Sequence, residues 1–352
     1  MDTGHRRSVP VLLAFCLLLF LPGVHHAAEA MPEAAPAAGP FEPKFLAPSP
    51  FCEASAVLVA PWDDDLIVVA DNERHQQLYV FKLKDGRLDP DEIWQMPAKN
   101  RPRDVEALAR LGDDLVVVGS LSRNNHCERK EDRQRLRRLT SRHDGTLEET
   151  CAGFLDAAES WKQAMANGGA LCLSTLFASP PPAGAGEVCE ALAAAEGQAT
   201  DERCEVLNVE GAFGAAHGRL WLGLRAPLAG GRALMLRLTP GLDELRFDSV
   251  VLLDLKTRGI RELALAGDHL YGIAGPTLDA DVPSFALFRI AVPEMLAGGQ
   301  PPVEILRSDL VRDSEGLLIR DRTAYVFVDG DEKSETGTGC GKPAGWYTVE
   351  LP

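Results

Sequence analysis

Five short stretches share one pattern: CEASAV at 52–57, VEALAR at 105–110, VEGAFG at 209–214, RELALA at 261–266 and SEGLLI at 314–319. Their glutamates, Glu53, Glu106, Glu210, Glu262 and Glu315, recur at steps of 53, 104, 52 and 53 residues. Each opens a short apolar, strand-like run that ends in a turn. A period of about 50 residues built from such runs marks a radial array of small sheets, because one small sheet cannot bury both its faces alone. The fold class is therefore all-β, a β-propeller. The step of 104 residues is about twice the others, so that interval holds extra material.

Working outward from Glu53, apolar runs at 54–60, 66–70, 77–84 and 93–96 are separated by turn-forming residues such as Pro61-Trp62-Asp63 and Asp85-Gly86. That is one blade of four strands. The last copy stops at its third strand, 345–351. Phe45-Leu46-Ala47, ahead of the first motif, is placed to supply the missing outer strand and close the ring, which removes free sheet edges. Five blades are expected, with six, one of them degenerate, as the alternative.

Region 148–207 does not read as a blade. Helical patterns cover 156–166 and 187–196, with a Pro/Gly breaker at 180–186 between them. Glu159 falls at the repeat spacing but lies on the first helix, so its spacing is a coincidence. The reading is a disulfide-rich helical insertion at about 148–207, joining an outer strand to the next first strand and placed to act as a lid.

Residues 1–30 have the form of a secretory signal peptide: His5, Arg6 and Arg7, an apolar run at 9–24, then Ala28-Glu29-Ala30. An Ala/Pro-rich leader follows at 31–40, and 41–352 is read as a single domain. The product is expected to be exported, periplasmic or extracellular, and a monomer, with no membrane span once the signal is removed. The net charge of −16 is unchanged by that removal, which takes away two acids and two bases, and it excludes nucleic acid as a partner. Seven cysteines then remain. Two bridges among Cys151, Cys172, Cys189 and Cys204 are expected to staple the insertion. Cys52 with Cys340 makes a third, which leaves Cys127 as a free thiol.

In a propeller the first strand of each blade lines the channel, and the second returns to the same face. The glutamates and the loops after the second strands therefore converge on one mouth. The candidate ligand-binding residues are Glu53, Asp71, Glu106, Arg123, Glu210, Arg225, Glu262, Glu315 and Asp329. Five close carboxylates cannot all be ionised and unpaired, since like charges raise each other's pKa and buried charge is costly. Either arginines such as Arg103, Arg123, Arg225 and Arg261 pair with them and the glutamates staple the blades, or a cation is captured. For the second case, Ca²⁺ or Mg²⁺ suits carboxylates, with Glu53, Glu106, Glu210 and Glu315 as metal candidates and Asn72, Asn208 or Asp329 beside them. The stretch GTGCGKP at 337–343 has neither the first glycine nor the Ser/Thr of a phosphate loop.

Several of these motifs come in pairs. Asp104-Val-Glu-Ala precedes Gly119-Ser-Leu-Ser-Arg123, Asn208-Val-Glu-Gly precedes Gly223-Leu-Arg-Ala-Pro-Leu228, and Gly259-Ile-Arg-Glu precedes Ala274-Gly-Pro-Thr277, with Ser314-Glu-Gly near the end. Over about residues 50–330 the set resembles the bacterial family catalogued as domain of unknown function 3616, a resemblance that implies a propeller-like fold and no activity. At the level of fold, Glu210-Gly211 and Glu315-Gly316 are similar to the Glu-Gly pair of calcium-dependent lactonases of the gluconolactonase and paraoxonase type, where the Glu holds the channel metal. The functional expectation is a binding or scaffold module with a small-molecule or protein ligand at the mouth. The alternative is a divalent-metal-assisted hydrolase of a small ester, lactone or phosphoester.

Overall fold

Apolar runs bounded by turn residues become strands here, and the turns order them into antiparallel blades. The computed structural model describes residues 41–46, 51–72, 74–124, 126–141, 146–199, 207–240, 244–277, 284–330 and 340–352. The signal peptide and leader assigned to 1–40 lie outside them. β1 (Lys44–Phe45) is followed by blade 1: β2 (Ala56–Val59), β3 (Leu66–Ala70), β4 (Gln77–Lys84) and β5 (Arg87–Gln95). Blade 2 is β6 (Val105–Leu111), β7 (Asp114–Gly119), β8 (Arg135–Ser141) and β9 (Leu147–Asp156). Three helices follow, α1 (Ala158–Gly169), α2 (Cys172–Leu176) and α3 (Ala185–Gly197). Blade 3 is β10 (Asn208–Ala215), β11 (Arg219–Ala229), β12 (Arg232–Leu238) and β13 (Phe247–Leu253). Blade 4 is β14 (Gly259–Ala266), β15 (His269–Gly275), β16 (Phe285–Ala291) and β17 (Glu304–Leu310), with α4 (Val292–Leu296) before its last strand. Blade 5 is β18 (Ser314–Arg320), β19 (Thr323–Val328) and β20 (Gly345–Glu350).

Each blade is an antiparallel sheet of four strands, and there are five, as the spacing indicates. The fourth strand of blade 5 is β1, with Lys44 opposite Trp346 and Phe45 opposite Gly345. This is the closure expected from the N-terminal segment. Leu46 is buried behind it, Phe41 stacks on Tyr347 and the Lys44 ammonium lies over Trp346. β7, the second strand of blade 2, is covered on both faces by neighbouring blades and is apolar along its middle: Leu115, Val116, Val117 and Val118 are all fully buried.

Two expectations need correction. The insertion is shorter than 148–207, because 147–156 is β9, paired to β8 as the outer strand of blade 2. Among the described residues the insertion consists of α1–α3, which are packed rather than hinged. Trp161, Cys172, Leu176, Val188 and Leu192 share one core with Val209, Leu222, Leu234 and Leu236 of blade 3, and Phe177 bridges to Phe247 of β13. The free-thiol assignment of Cys127 is also wrong, since Cys127 is disulfide-bonded. Position 151 lies on β9, in blade 2, so the four cysteine positions of 151–204 do not all belong to the helical excursion. Cys172–Cys189 ties α2 to α3, and Cys52–Cys340 ties the loop before β2 to the loop before β20, both as expected. Cys204 lies outside the described residues.

Candidate functional site at the glutamate mouth

The first strands of blades 2 to 5 each carry a β-bulge near their start. The register passes from Val105↔Gly119 to Ala107↔Val118, from Val209↔Leu224 to Gly211↔Gly223, and from Ser314↔Val328 to Gly316↔Phe327. The extra residues are Glu106, Glu210 and Glu315. A bulge re-aims the side chain of the unpaired residue, which is how three motif glutamates leave the ladder for the mouth. In blade 4 the break lies between Ile260 and Glu262, so the bulged residue is Arg261. The repeated position therefore reads Glu106, Glu210, Arg261, Glu315. The sequence register of blade 4 is one residue out.

A second device repeats beside it. The carbonyl two residues before the bulge accepts the first N–H after the second strand: Asp104 from Ser120 at 2.9 Å, and Asp313 from Asp329 at 2.8 Å. Asp104 and Asp313 both adopt left-handed backbone, with φ of 53° and 63°, a conformation that Asp tolerates better than most residues. Gly259 is required for closeness instead, since a Cβ there would lie 2.0 Å from the Arg225 carbonyl oxygen.

Glu210 is the electrostatic centre. Its Oε2 accepts from Arg261 Nη1 at 2.7 Å, and its Oε1 accepts from Arg225 Nη1 at 3.0 Å and from Asn208 Nδ2 at 2.9 Å. Arg261 Nη1 also lies 3.1 Å from Glu315 Oε1. Burial alone disfavours the Glu210 charge, but Arg261 and Arg225 outweigh it and hold its pKa below the ordinary value. Arg261 is buried too, yet Glu210 and Glu315 raise its pKa and keep it charged.

The other carboxyls are shifted the opposite way. Burial lifts Glu315 to about 7, with Glu210 and Asp313 adding and Arg261 and Arg225 opposing. Glu106 is pushed well above its ordinary value by burial and then by the charges of Asp104, Glu210 and Glu315, against which its 3.2 Å bond from Asn72 Nδ2 counts little. Asp329 rises for the same reasons, burial first and then Glu315 and Glu53. Asp104 is raised by burial although Arg133 Nη1 stands 2.6 Å from its Oδ2.

Not every candidate joins this group. Glu53 precedes β2 by three residues, outside any strand, and acts on the mouth through its charge on Asp329. Asp71 is buried and accepts from the N–H groups of Cys52 and Arg74, which fixes its own loop. Arg123 pairs with Glu196 near the end of α3, as does Arg129, so it clamps the insertion to blade 2 and not to the glutamate ring. Glu262 is wholly buried and is a strut: its carboxyl accepts from the N–H of Leu263 at 2.9 Å and of Val57 at 3.1 Å. It is not a mouth residue, because the bulge of blade 4 falls one position earlier. Among the described residues no three Asp, Glu, His or Cys side chains gather so as to hold a metal ion.

Asp104 was missed as a site residue, although its place two residues before Glu106 matches Asn208 before Glu210 and Asp313 before Glu315. That offset was legible in the motif. The pairing of Arg225 and Arg261 with the glutamates is as expected, whereas the place of Arg261 at the bulge was not legible, since it depends on where the bulge falls.

Residues 204–294 match the family described as Protein of unknown function (DUF3616). This stretch covers blade 3 and most of blade 4, including Glu210, Arg225 and Arg261, and it is the family that the paired motifs resemble. No curated protein matches the chain in sequence. In fold, the chain is similar to an exo-β-1,3-galactanase from Clostridium thermocellum, at 10% identity and a TM-score of 0.45, over 89% of this chain and 62% of that one. It is similar to an exo-β-1,3-galactanase from Phanerochaete chrysosporium at 9% identity and a TM-score of 0.44, over 86% and 61%. The chain thus spans about three fifths of the length of both galactanases. The WD40 repeats of RRP9 are similar at 10% identity and a TM-score of 0.40, over 90% and 99%.

Proposed function

We propose that this chain is an exported binding module whose ligand seats at the glutamate mouth. Glu106 carries the reading. It is 8% exposed and surrounded by the charges of Asp104, Glu210 and Glu315, and its pKa is raised accordingly. Ion pairing accounts for Glu210 and blade-to-blade bonding accounts for Glu262. Glu106 takes one bond from Asn72 of blade 1 and Asp329 one from the N–H of Gly330, yet burial and the neighbouring carboxylates still raise both, so the fold carries them at a cost in stability. Groups carried at such a cost cluster where a protein acts on something else. The complement of this mouth is a small ligand that brings positive charge or several hydroxyl or amine donors.

Export rests on the signal-like segment 1–30 and on the disulfides, which persist in oxidising compartments. No helix among the described residues is long and apolar enough to cross a membrane. The reading is tested by thermal melting of the parent protein and of Glu106→Gln in titrations of Ca²⁺, Mg²⁺ and 1,4-diaminobutane. We expect at least one of these to raise the melting temperature of the parent in a saturable way and to lose that effect in Glu106→Gln. No response in the parent, or the same response in both, refutes a ligand of this charge.

A second reading, a hydrolase of a small ester, lactone or phosphoester assisted by Ca²⁺ or Mg²⁺, is favoured by Glu315. A carboxyl with a pKa of about 7 is suited to take a proton near neutral pH. Cation-dependent hydrolysis of a lactone or p-nitrophenyl ester, abolished in Glu315→Gln, selects this reading over simple binding.

A further inference from the structure

The first strands of the five blades run away from the glutamate mouth and end around an open, apolar well at the opposite end of the channel. The well has a volume of about 670 Å³, and its wall includes Val59, Phe213, Leu263, Leu265, Leu317 and Ile319. Glu262 separates it from the charged mouth, since the two N–H groups it holds belong to Val57 and Leu263, both on the wall. Each first strand is the inner edge of its sheet and is hydrogen-bonded within its blade on one side only, to the second strand.

The rim is charged but largely self-paired. Arg110 Nη1 is 3.4 Å from Asp64 Oδ1, Arg320 Nη2 is 3.1 Å from Asp65 Oδ1, and Arg320 Nη1 donates to the Asp64 carbonyl. Exposed Asp113 stands on the same rim, which disfavours an anionic head group. Leu265, on the wall, is 42% exposed.

We infer that this well binds an uncharged small molecule with an apolar body. Small-molecule sites are concave, mostly apolar and about 300–1,000 Å³ in volume, and the well meets each condition. The well lies beyond the residues proposed above for the glutamate mouth and does not depend on them.

The test is a fluorescence titration of the full chain with N-phenyl-1-naphthylamine, an uncharged apolar probe that brightens on leaving water. We expect saturable binding of one probe per chain, weakened about tenfold or more by Leu265→Arg, which sets a charge against the apolar probe. Ile319→Arg, also on the wall, should act in the same way and replaces Leu265→Arg if that variant does not fold by its melting curve. Leu171→Arg, at an exposed apolar position on the insertion, should bind as the parent does. Binding that does not saturate, binding unchanged in the folded well variants, or an equal loss in Leu171→Arg overturns the inference.

Discussion

The carboxyl of Glu262 accepts a hydrogen bond from the backbone N–H of Val57 at 3.1 Å, although the two residues are 205 positions apart and sit on blades 4 and 1, which are not neighbours in the ring. The bond crosses the channel. It divides the charged mouth from the apolar end and fixes how closely β2 and β14 approach. Glu262→Leu leaves the N–H groups of Val57 and Leu263 buried without that acceptor. At about 1–3 kcal/mol for each unsatisfied group, we expect a loss of roughly 2–6 kcal/mol in urea unfolding. An unchanged midpoint and slope would show that the strut is dispensable.

Glu210 and its arginines form a buried chain in which one partner cannot be removed cheaply. Glu210→Gln leaves Arg261 and Arg225 short of counter-charge, and breaking such a pair costs about 3–5 kcal/mol. The neighbouring carboxyls provide a further readout: with Glu210 neutral, part of the push on Glu106 and Glu315 disappears, and their pKa values should fall. Carboxyl-resolved NMR titration measures this, and unmoved titrations would contradict the coupling.

Glu315 gives stability a pH dependence with a definite sign. Its ordinary pKa is 4.5 and its folded value is about 7. Between these values the folded state binds more protons than the unfolded chain, so stability declines as pH rises from 4.5 to about 7 and then levels off. The size is roughly 3 kcal/mol for this one group. Glu106, Glu262 and Asp329 act in the same sense, and Glu210, with its lowered pKa, acts in the opposite one. Glu315→Gln should therefore gain on the parent protein as pH rises through this window. A difference between the two that does not change with pH would refute the assignment.

The ring closes through β1, which is only two residues long but anchored by its neighbours. Leu46→Ala truncates a buried side chain while keeping the backbone N–H that donates to the Ala344 carbonyl, and we expect a loss of about 2–4 kcal/mol. Removing residues 31–46 should cost more, because it also takes away Phe41 and the strand pairing of Lys44 and Phe45. Melting temperatures of the two variants and of a 31–38 deletion order these effects. A 31–46 deletion as stable as the parent would mean that the outer strand does not close the ring.

The propeller was legible because its repeat is long and its strands are short, apolar and punctuated by turns. Closure by the N-terminal segment was legible for the related reason that blade 5 lacks a fourth strand of its own. Apolar period and turn chemistry do not register a bulge, so the motif of blade 4 aligned Glu262 with the other glutamates while the fold placed Arg261 there. Residues 148–156 read as part of the insertion because Glu148, Glu149 and Thr150 carry few apolar positions, yet an outer strand needs little apolar surface. Arg123 was drawn toward the ring by its loop, whereas its partner, Glu196, sits on a helix whose docking no local pattern encodes.

The claim that the mouth is built for a ligand and not for stability is tested most directly on Glu106. Urea unfolding of the parent, Glu106→Gln and Glu210→Gln at about pH 8 separates the two roles. The amide that Glu106→Gln introduces can keep the bond from Asn72 while removing a buried charge from among Asp104, Glu210 and Glu315. We expect Glu106→Gln to be as stable as the parent or more so, while Glu210→Gln loses about 3–5 kcal/mol. If Glu106→Gln loses as much as Glu210→Gln, Glu106 is a staple between blades and the ligand site at this mouth is refuted.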